Sequence, residues 1–372
     1  MPKRNHFLQD PKQALALIGK IIGGRKTAPE KKRTNLFRRI DRLIDEQLLD
    51  TLNEAGLEEE ELAFSERLRL LSDKIEQLGK FELLEHKAII GVGGQFSAGK
   101  STFINSLIGK EPVLPQNISV TTSISTYIIC GKKDQNSAYT TNHQFIKLAD
   151  EEYKALTHEF TETYVGFSRF VDNIILERHD FSDNIVAASD TDRNGGDWWK
   201  HVALLDTPGY NKARDGQQER FTDRKQAAEQ LENVDFLIWL LSVENGDLSE
   251  SDMDFLFESL GSKLSECPER VLVVINKAKK KSDTAMKEIL EQVEETLRNA
   301  GISEKCLVTA YDSIAREERF GKTHIIDFLK KAASLGRNKK DLKDELQEIQ
   351  KDIQKCLDER LKYEMSREKK LY

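Results

Sequence analysis

Apolar positions along this chain fall into three kinds of pattern. Over residues 34–84 they recur at helical spacing. Leu36, Phe37, Ile40, Leu43, Ile44 and Leu48 form one stripe, Leu68, Leu71, Ile75 and Leu78 a second, and Asn53-Glu-Ala-Gly56 between them reads as a turn. Two such amphipathic helices cannot bury their stripes alone and need a further surface to pack on. From Lys87 the pattern changes to short, continuous apolar runs at 88–92, 123–129, 201–205, 236–241, 271–275 and 306–309. Runs of this kind predict strands buried on both faces. Helical stretches are predicted between them at 100–109, 217–232, 250–261, 284–300 and 322–334. The alternation predicts an α/β domain with a mostly parallel sheet over residues 85–335. Residues 131–199 are long and polar and read as an insertion, with Asn194-Gly-Gly-Asp as a turn. From Leu342 a helical stripe returns through Leu346, Ile349, Ile353, Cys356 or Leu357, and Leu361, at coiled-coil-like steps. The expected organisation is a basic leader at 1–33, neck helices at 34–84, the α/β domain at 85–335, and a C-terminal helix at 336–372 packing with the N-terminal helices. The last stripe runs to Tyr372 with no polar cap, and a shortened form of a longer protein is one reading.

Composition narrows the class. The chain has 372 residues, 38% apolar and 33% charged, which is polar for a globular protein but far from disordered composition. The longest clean apolar run, Phe236–Val243, falls well short of the ~20 residues that span a bilayer. The N-terminus lacks a secretory pattern, so a cytoplasmic protein, with peripheral membrane contact as an option, is expected. Four scattered cysteines and no clustered histidines give a zinc site little support. Net charge is 57 − 64 = −7, yet residues 1–42 hold twelve Lys/Arg against three Asp/Glu, a local +9. A basic leader on an acidic body can meet anionic lipid, nucleic acid, or the body itself. Its Ala14–Ile22 stretch reads as a docked helix or a membrane contact.

The strongest chemical signal is Gly94-Gln-Phe-Ser-Ala-Gly99-Lys100-Ser101, which fits GxxxxGK[ST] and lies between a predicted strand and a predicted helix. Glycines let backbone N–H groups converge on phosphate oxygens at a helix N-terminus. Lys100 then reaches the β/γ-phosphates, and the Ser101 hydroxyl ligates Mg²⁺ with Thr102 beside it. Asp206-Thr-Pro-Gly209, at the end of a strand 105 residues on from Ser101, adds a carboxylate for Mg²⁺ and a backbone N–H at Gly209 for the γ-phosphate. Leu114-Pro-Gln-Asn-Ile-Ser-Val-Thr121-Thr122 follows the phosphate-loop helix and can bring a hydroxyl over the metal. Asn276-Lys277-Ala-Lys279 follows the strand Val271–Ile275, and Val308-Thr-Ala-Tyr311 sits where a further loop would meet a base edge.

Together these motifs resemble the GTPase domain of the dynamin superfamily, most closely its bacterial dynamin-like and mitofusin-type branch, with the Leo-type proteins as one candidate subgroup. GQFSAGKST carries the resemblance, with Ser97 two residues before Gly99; Leu114-Pro115 before Val120-Thr121-Thr122, the DTPG and the flanking helices agree with it. The resemblance implies a Mg²⁺-dependent GTPase, with GTP/GDP, Mg²⁺ and K⁺ or Na⁺ as cofactors. It implies that Ser97 helps hold the β–γ bridging region and a monovalent cation. The catalytic switch threonine falls on Thr122, or else Thr121, and Asp206 and Gly209 serve Mg²⁺ and the γ-phosphate. It also implies homodimerisation through GTPase domains, and membrane-associated remodelling or trafficking. A ribosome- or RNA-associated regulatory GTPase and a nucleotide-binding scaffold with little turnover are the alternatives.

The chain departs from the family at Gln116-Asn117, where a small, glycine-containing turn is usual, and at Lys279, where guanine-specific GTPases carry an Asp. A lysine has only donors to offer guanine's amino and imino groups. Loose base reading, with GTP preferred over ATP by less than ~100-fold, is therefore expected unless Asp283 folds back to substitute.

Overall fold

The computed structural model describes residues 5–24, 42, 50, 54, 84, 86–94, 97–108, 112–115, 124–141, 144–164, 166–179, 198–207, 231, 234–244, 267–302, 306–321, 324–338 and 342–371. The chain divides into two units, residues 1–24 with 87–337 and residues 25–86 with 338–372.

The first unit is built on a sheet of ten described strands. They are β1 (Ala88–Gly94), β2 (Thr126–Cys130), β3 (Gln135–Thr140), β4 (Phe145–Leu148), β5 (Val171–Arg178), β6 (Val202–Asp206), β7 (Phe236–Ser242), β8 (Val271–Asn276), β9 (Leu307–Asp312) and β10 (Glu317–Glu318). Their order is β10-β9-β8-β7-β1-β6-β2-β5-β3-β4. The run β6-β1-β7-β8-β9 is parallel throughout, and β2 is antiparallel to β6. Every residue of β7 and β8 is buried, as their continuous apolar runs require. Alternate side chains serve two cores: Phe236, Ile238 and Leu240 face one, and Leu237, Trp239 and Leu241 the other. Each large side chain so buried contributes about 1.5–3 kcal/mol.

Helices cover both faces. The first two are α1 (His6–Gln9) and α2 (Pro11–Ile22). Asp10 caps α2 by accepting from Lys12 and Gln13, with Pro11 at its first position. Ala14, Leu17 and Ile21 lie in the first core, while Lys20 pairs with Glu152 at 2.5 Å and Asn5 donates to the Ala155 carbonyl. Of the readings open for the leader, docking on the body is the one that residues 5–24 adopt. Next come α3 (Lys100–Ile108), α4 (Asp150–Ala155) and α5 (His158–Thr163). They are followed by α6 (Asp283–Asn299), burying Met286, Leu290, Val293 and Leu297 in the second core, and α7 (His324–Arg337), burying Phe328, Leu329 and Ala332 in the first. Gly336 lets α7 approach the sheet closely: a Cβ there would lie 2.7 Å from the Ala88 nitrogen.

The described residues of the insertion at 131–199 extend the sheet through β3, β4 and β5. In the second unit a 30-residue helix, α8 (Leu342–Leu371), covers the C-terminal stripe. The stripes at 34–78 and the helices expected at 217–232 and 250–261 lie outside the described residues, apart from Arg42, Asp50, Glu54 and Leu231. Among the described residues no helix is long and apolar enough to cross a membrane, and Cys267 and Cys306 are free thiols.

Candidate functional site

β1 delivers the chain into the phosphate loop, and α3 begins at Lys100 as it leaves. Three residues there hold left-handed or otherwise strained backbone: Gly94 at φ 138°, Ser97 at φ 64° and Gly99 at φ 89°. The two glycines are also demanded by space. A Cβ on Gly94 would collide with the Leu240 carbonyl of β7, and one on Gly99 would stand 2.6 Å from Asn276 Nδ2. A non-glycine residue at positive φ, as at Ser97, stores strain of the kind found at ligand loops. Thr102 continues α3, half-buried.

The Lys100 side chain is buried. It is only 8% exposed, and its Nζ donates to the Gly94 carbonyl at 3.0 Å, folding back over its own loop. Burial lowers its pKa to about 8, with Asp206 acting in the opposite direction. Asp206, at the end of β6, is fully buried, and Ser101 Oγ donates to its Oδ2 at 3.0 Å. Thr207 Oγ1 donates to the Val92 carbonyl and ties this strand end to β1. The donor set facing the loop is one hydroxyl and one carboxylate, both hard oxygens. That fits Mg²⁺, which takes one or two protein oxygens and completes its shell from substrate phosphates and water. Among the described residues no group of three or more His, Cys, Asp or Glu converges on a metal position.

Asn276, at the end of β8, joins three loops. Its Nδ2 donates to the Ala98 carbonyl of the phosphate loop at 3.0 Å. Its Oδ1 accepts from the Lys277 nitrogen at 2.8 Å and from the Ser313 hydroxyl at 2.7 Å. Lys277, itself at φ 63°, reaches across to donate to the Ser97 carbonyl at 3.1 Å and to Glu244 at 2.7 Å. Glu244 also takes Lys280, and these two bonds lower its pKa to about 2.

On the far side the structure corrects one expectation and removes one alternative. Val308–Tyr311 belongs to β9, and the loop that meets Asn276 begins at Ser313. Asp283 does not fold back toward position 279; it opens α6 and pairs with Arg319, whose guanidinium also donates to the Ala278 carbonyl. Sequence reasoning missed Asp312. Its carboxylate accepts backbone N–H groups from Lys279 at 3.0 Å, Ile314 at 3.1 Å and Ala315 at 2.9 Å, splicing two loops together. Burial pushes its pKa up, but the bonds from Ala315, Lys279 and Ile314 prevail and hold it below the ordinary value. Lys279 pairs through its side chain with Glu317 at 2.8 Å.

Asn105 on α3 was missed as well: it accepts from the Val113 and Leu114 nitrogens and donates to the Leu114 carbonyl, fixing the start of the segment that leads to Thr121 and Thr122. Gln116, Asn117, Thr121, Thr122 and Gly209 lie outside the described residues.

A family model described as the dynamin family matches residues 90–278, a little over half of the chain. A search of curated proteins returns no match. Among solved structures, the chain is similar to a bacterial dynamin from an oligomerised pair that senses and tethers membranes, at 15% identity and a TM-score of 0.45. The match covers 72% of this chain and 38% of that one, so the chain spans well under half the length of that dynamin. It is also similar to Era from Aquifex aeolicus bound to GDP and aluminium fluoride, at 14% identity and TM-score 0.35, covering 67% and 56% of the two chains. A dimerisation-deficient Toc33 from Arabidopsis thaliana matches at 14% identity and TM-score 0.40, covering 75% and 94%.

Proposed function

Because the chain belongs to the dynamin family, we propose that it binds and hydrolyses Mg²⁺·GTP at the loop 94–101, and that pairing of two GTPase domains completes the site. The observation that carries this reading is the buried arrangement of Lys100 with Ser101 and Asp206, where the hydroxyl and carboxylate meet at 3.0 Å beside a lysine folded over its own loop. Phosphate offers Lys100 a better acceptor than the Gly94 carbonyl, and the N–H groups of the loop supply the cradle. Ser101 and Asp206 would hold Mg²⁺, which when bound neutralises charge on the β- and γ-phosphates. Thr122, or Thr121 in its stead, orients the attacking water, Gly209 senses the γ-phosphate, and Ser97 serves the β–γ bridge together with K⁺ or Na⁺. Asn276 and Lys277 brace the base side against the loop.

Ser97 and the Leu114-Pro115 lead into Thr121-Thr122 support assignment to the bacterial, mitofusin-like branch. Residues 34–84 and 336–372 supply a helical neck in this reading, and 85–335 the GTPase domain. With α2 docked, a contact with anionic membrane falls to residues 25–42, which hold eight Lys/Arg against two Asp/Glu.

The test is turnover per molecule across a range of protein concentrations, with and without K⁺ or Na⁺. Turnover should rise with concentration and depend on the cation, and Thr122→Ala should slow hydrolysis more than it weakens binding. Turnover indifferent to both would remove the pairing mechanism.

A further inference from the structure

The place of a base in this cleft follows from the sheet order. Asp206 ends β6 on one side of β1, so the metal-facing end of the cleft lies there, while β7, β8 and β9 succeed one another on the other side. The loops after β8 and β9 close that second side, held to the phosphate loop by Asn276 on Ala98 and by Lys277 on Ser97. A nucleoside whose phosphates rest on Lys100 and Ser101 must extend its base toward these two loops, beyond the carboxyl ends of the strands.

Five carboxylates of described residues lie on or beside those loops, and four are committed elsewhere. Glu244 takes Lys277 and Lys280, Asp283 takes Arg319, Asp312 takes three backbone N–H groups, and Glu318 accepts from the Thr309 hydroxyl and the Ile325 nitrogen. Glu317 meets Lys279 at 2.8 Å, with the two side chains 59% and 55% exposed. An exposed pair of this kind adds little to the fold, so sharing it with a ligand costs little. It sets an ammonium donor beside a carboxylate acceptor. Guanine carries O6, an acceptor, beside two donors, N1–H and the 2-amino group. Adenine carries the reverse order, an amino donor beside the N1 lone pair.

We propose that Lys279 and Glu317 are the specificity-determining pair of this site, Glu317 accepting from guanine N1–H and the 2-amino group and Lys279 donating to O6. The proposal rests on the nucleotide reading above. The acid that reads the base is then carried on β10 rather than in the loop after β8, and Lys279 holds it instead of replacing it. Adenine would bring its amino group against the ammonium and its N1 lone pair against the carboxylate, leaving both protein groups unsatisfied.

The test is calorimetric titration of the full chain and of Glu317→Gln with the Mg²⁺ complexes of GTP, inosine triphosphate, xanthosine triphosphate and ATP, and with inorganic triphosphate. The wild type should prefer GTP over inosine triphosphate, which lacks the 2-amino group, by ~10-fold or more, the worth of a hydrogen bond to a charged acceptor. Its preference over ATP should be larger. Glu317→Gln should bring GTP and inosine triphosphate to parity and gain affinity for xanthosine triphosphate, because the amide N–H can donate to the extra carbonyl. Its affinity for inorganic triphosphate should not change. A residue with only a structural role would weaken all the nucleotides alike and gain none. If the wild type binds inorganic triphosphate but ranks no base above another, or if Glu317→Gln keeps the wild-type ratio of GTP to inosine triphosphate, the pair is not the reader while the phosphate site stands. If nothing binds, inorganic triphosphate included, the nucleotide reading fails and the pair falls with it.

Discussion

At the phosphate end of the cleft the charges are buried and the backbone is constrained; at the base end the charges are exposed and the constraint comes from side chains. Lys100 and Asp206 lie below the surface, between glycines whose missing side chains are required by neighbouring backbone and by Asn276. Lys279, Lys280, Glu244 and Glu317 stand about half or more in solvent, and Ile314 beside them is 83% exposed. Buried charge without its ligand carries a desolvation cost that phosphate and metal can relieve. Exposed pairs carry almost none and can be rearranged at little expense. The first end is thus built for strong, sequence-independent capture of a triphosphate, and the second for modest discrimination.

The sharpest way to break this contrast is Lys100→Met, which keeps the length of the side chain and removes its charge. Affinity for Mg²⁺·GTP and for inorganic triphosphate should both fall by roughly 1000-fold, about 4 kcal/mol. The melting temperature of the ligand-free protein should hold or rise, because a desolvated ammonium has been exchanged for an apolar chain. Titration and thermal melting on the same sample check both. A lower melting temperature with unchanged affinity would make Lys100 a structural residue and cancel the contrast.

A smaller effect is expected from Asp312→Ala at the base end. Three backbone N–H groups would lose their acceptor, at about 1–3 kcal/mol of stability, and the loops after β8 and β9 would no longer be spliced. GTP affinity should fall by roughly 10-fold while inorganic triphosphate binds as before. Parallel titrations with the two ligands distinguish this from general unfolding, which would weaken both.

The same contrast explains what could be read in the sequence. Capture of phosphate needs consecutive residues, so Gly94 to Ser101 announces itself as a string, and β7 and β8, buried on both faces, announce themselves as unbroken apolar runs. β3 gives no such signal. It reads Gln-Asn-Ser-Ala-Tyr-Thr, yet Asn136, Ser137 and Thr140 are buried, and Asn136 is satisfied by Arg178 at 2.8 Å. Hydropathy cannot mark a strand whose buried side chains are polar and hydrogen-bonded. The base-side partnerships span 33 residues or more, from Lys279 with Asp312 at 33 to Lys277 with Ser97 at 180, so no local pattern records them. The adjacent pair Asp312-Ser313, at the end of β9, is a weak local hint of the clamp.

An effect of similar size tests the buried end by pH. Burial holds Lys100 at about 8 in the free protein, against an ordinary 10.5. The folded state therefore gives up this proton earlier than the unfolded chain does. Stability of the ligand-free protein should rise with pH between about 8 and 10.5 on this group's account, and be least below that window, where the charge must be buried. Binding runs the other way. Phosphate oxygens favour the ammonium, so the bound state holds its proton to higher pH and the free state must take one up to bind. From about pH 7 to about pH 9 affinity should fall by roughly 10-fold, following the protonated fraction. Titrations in two buffers of different ionisation enthalpy, near pH 9, should show uptake of close to one proton per nucleotide. A flat affinity with no proton uptake would mean that Lys100 is fully charged before the ligand arrives. Its place over the Gly94 carbonyl would then be a resting position in a hydrated loop, not a buried charge awaiting phosphate.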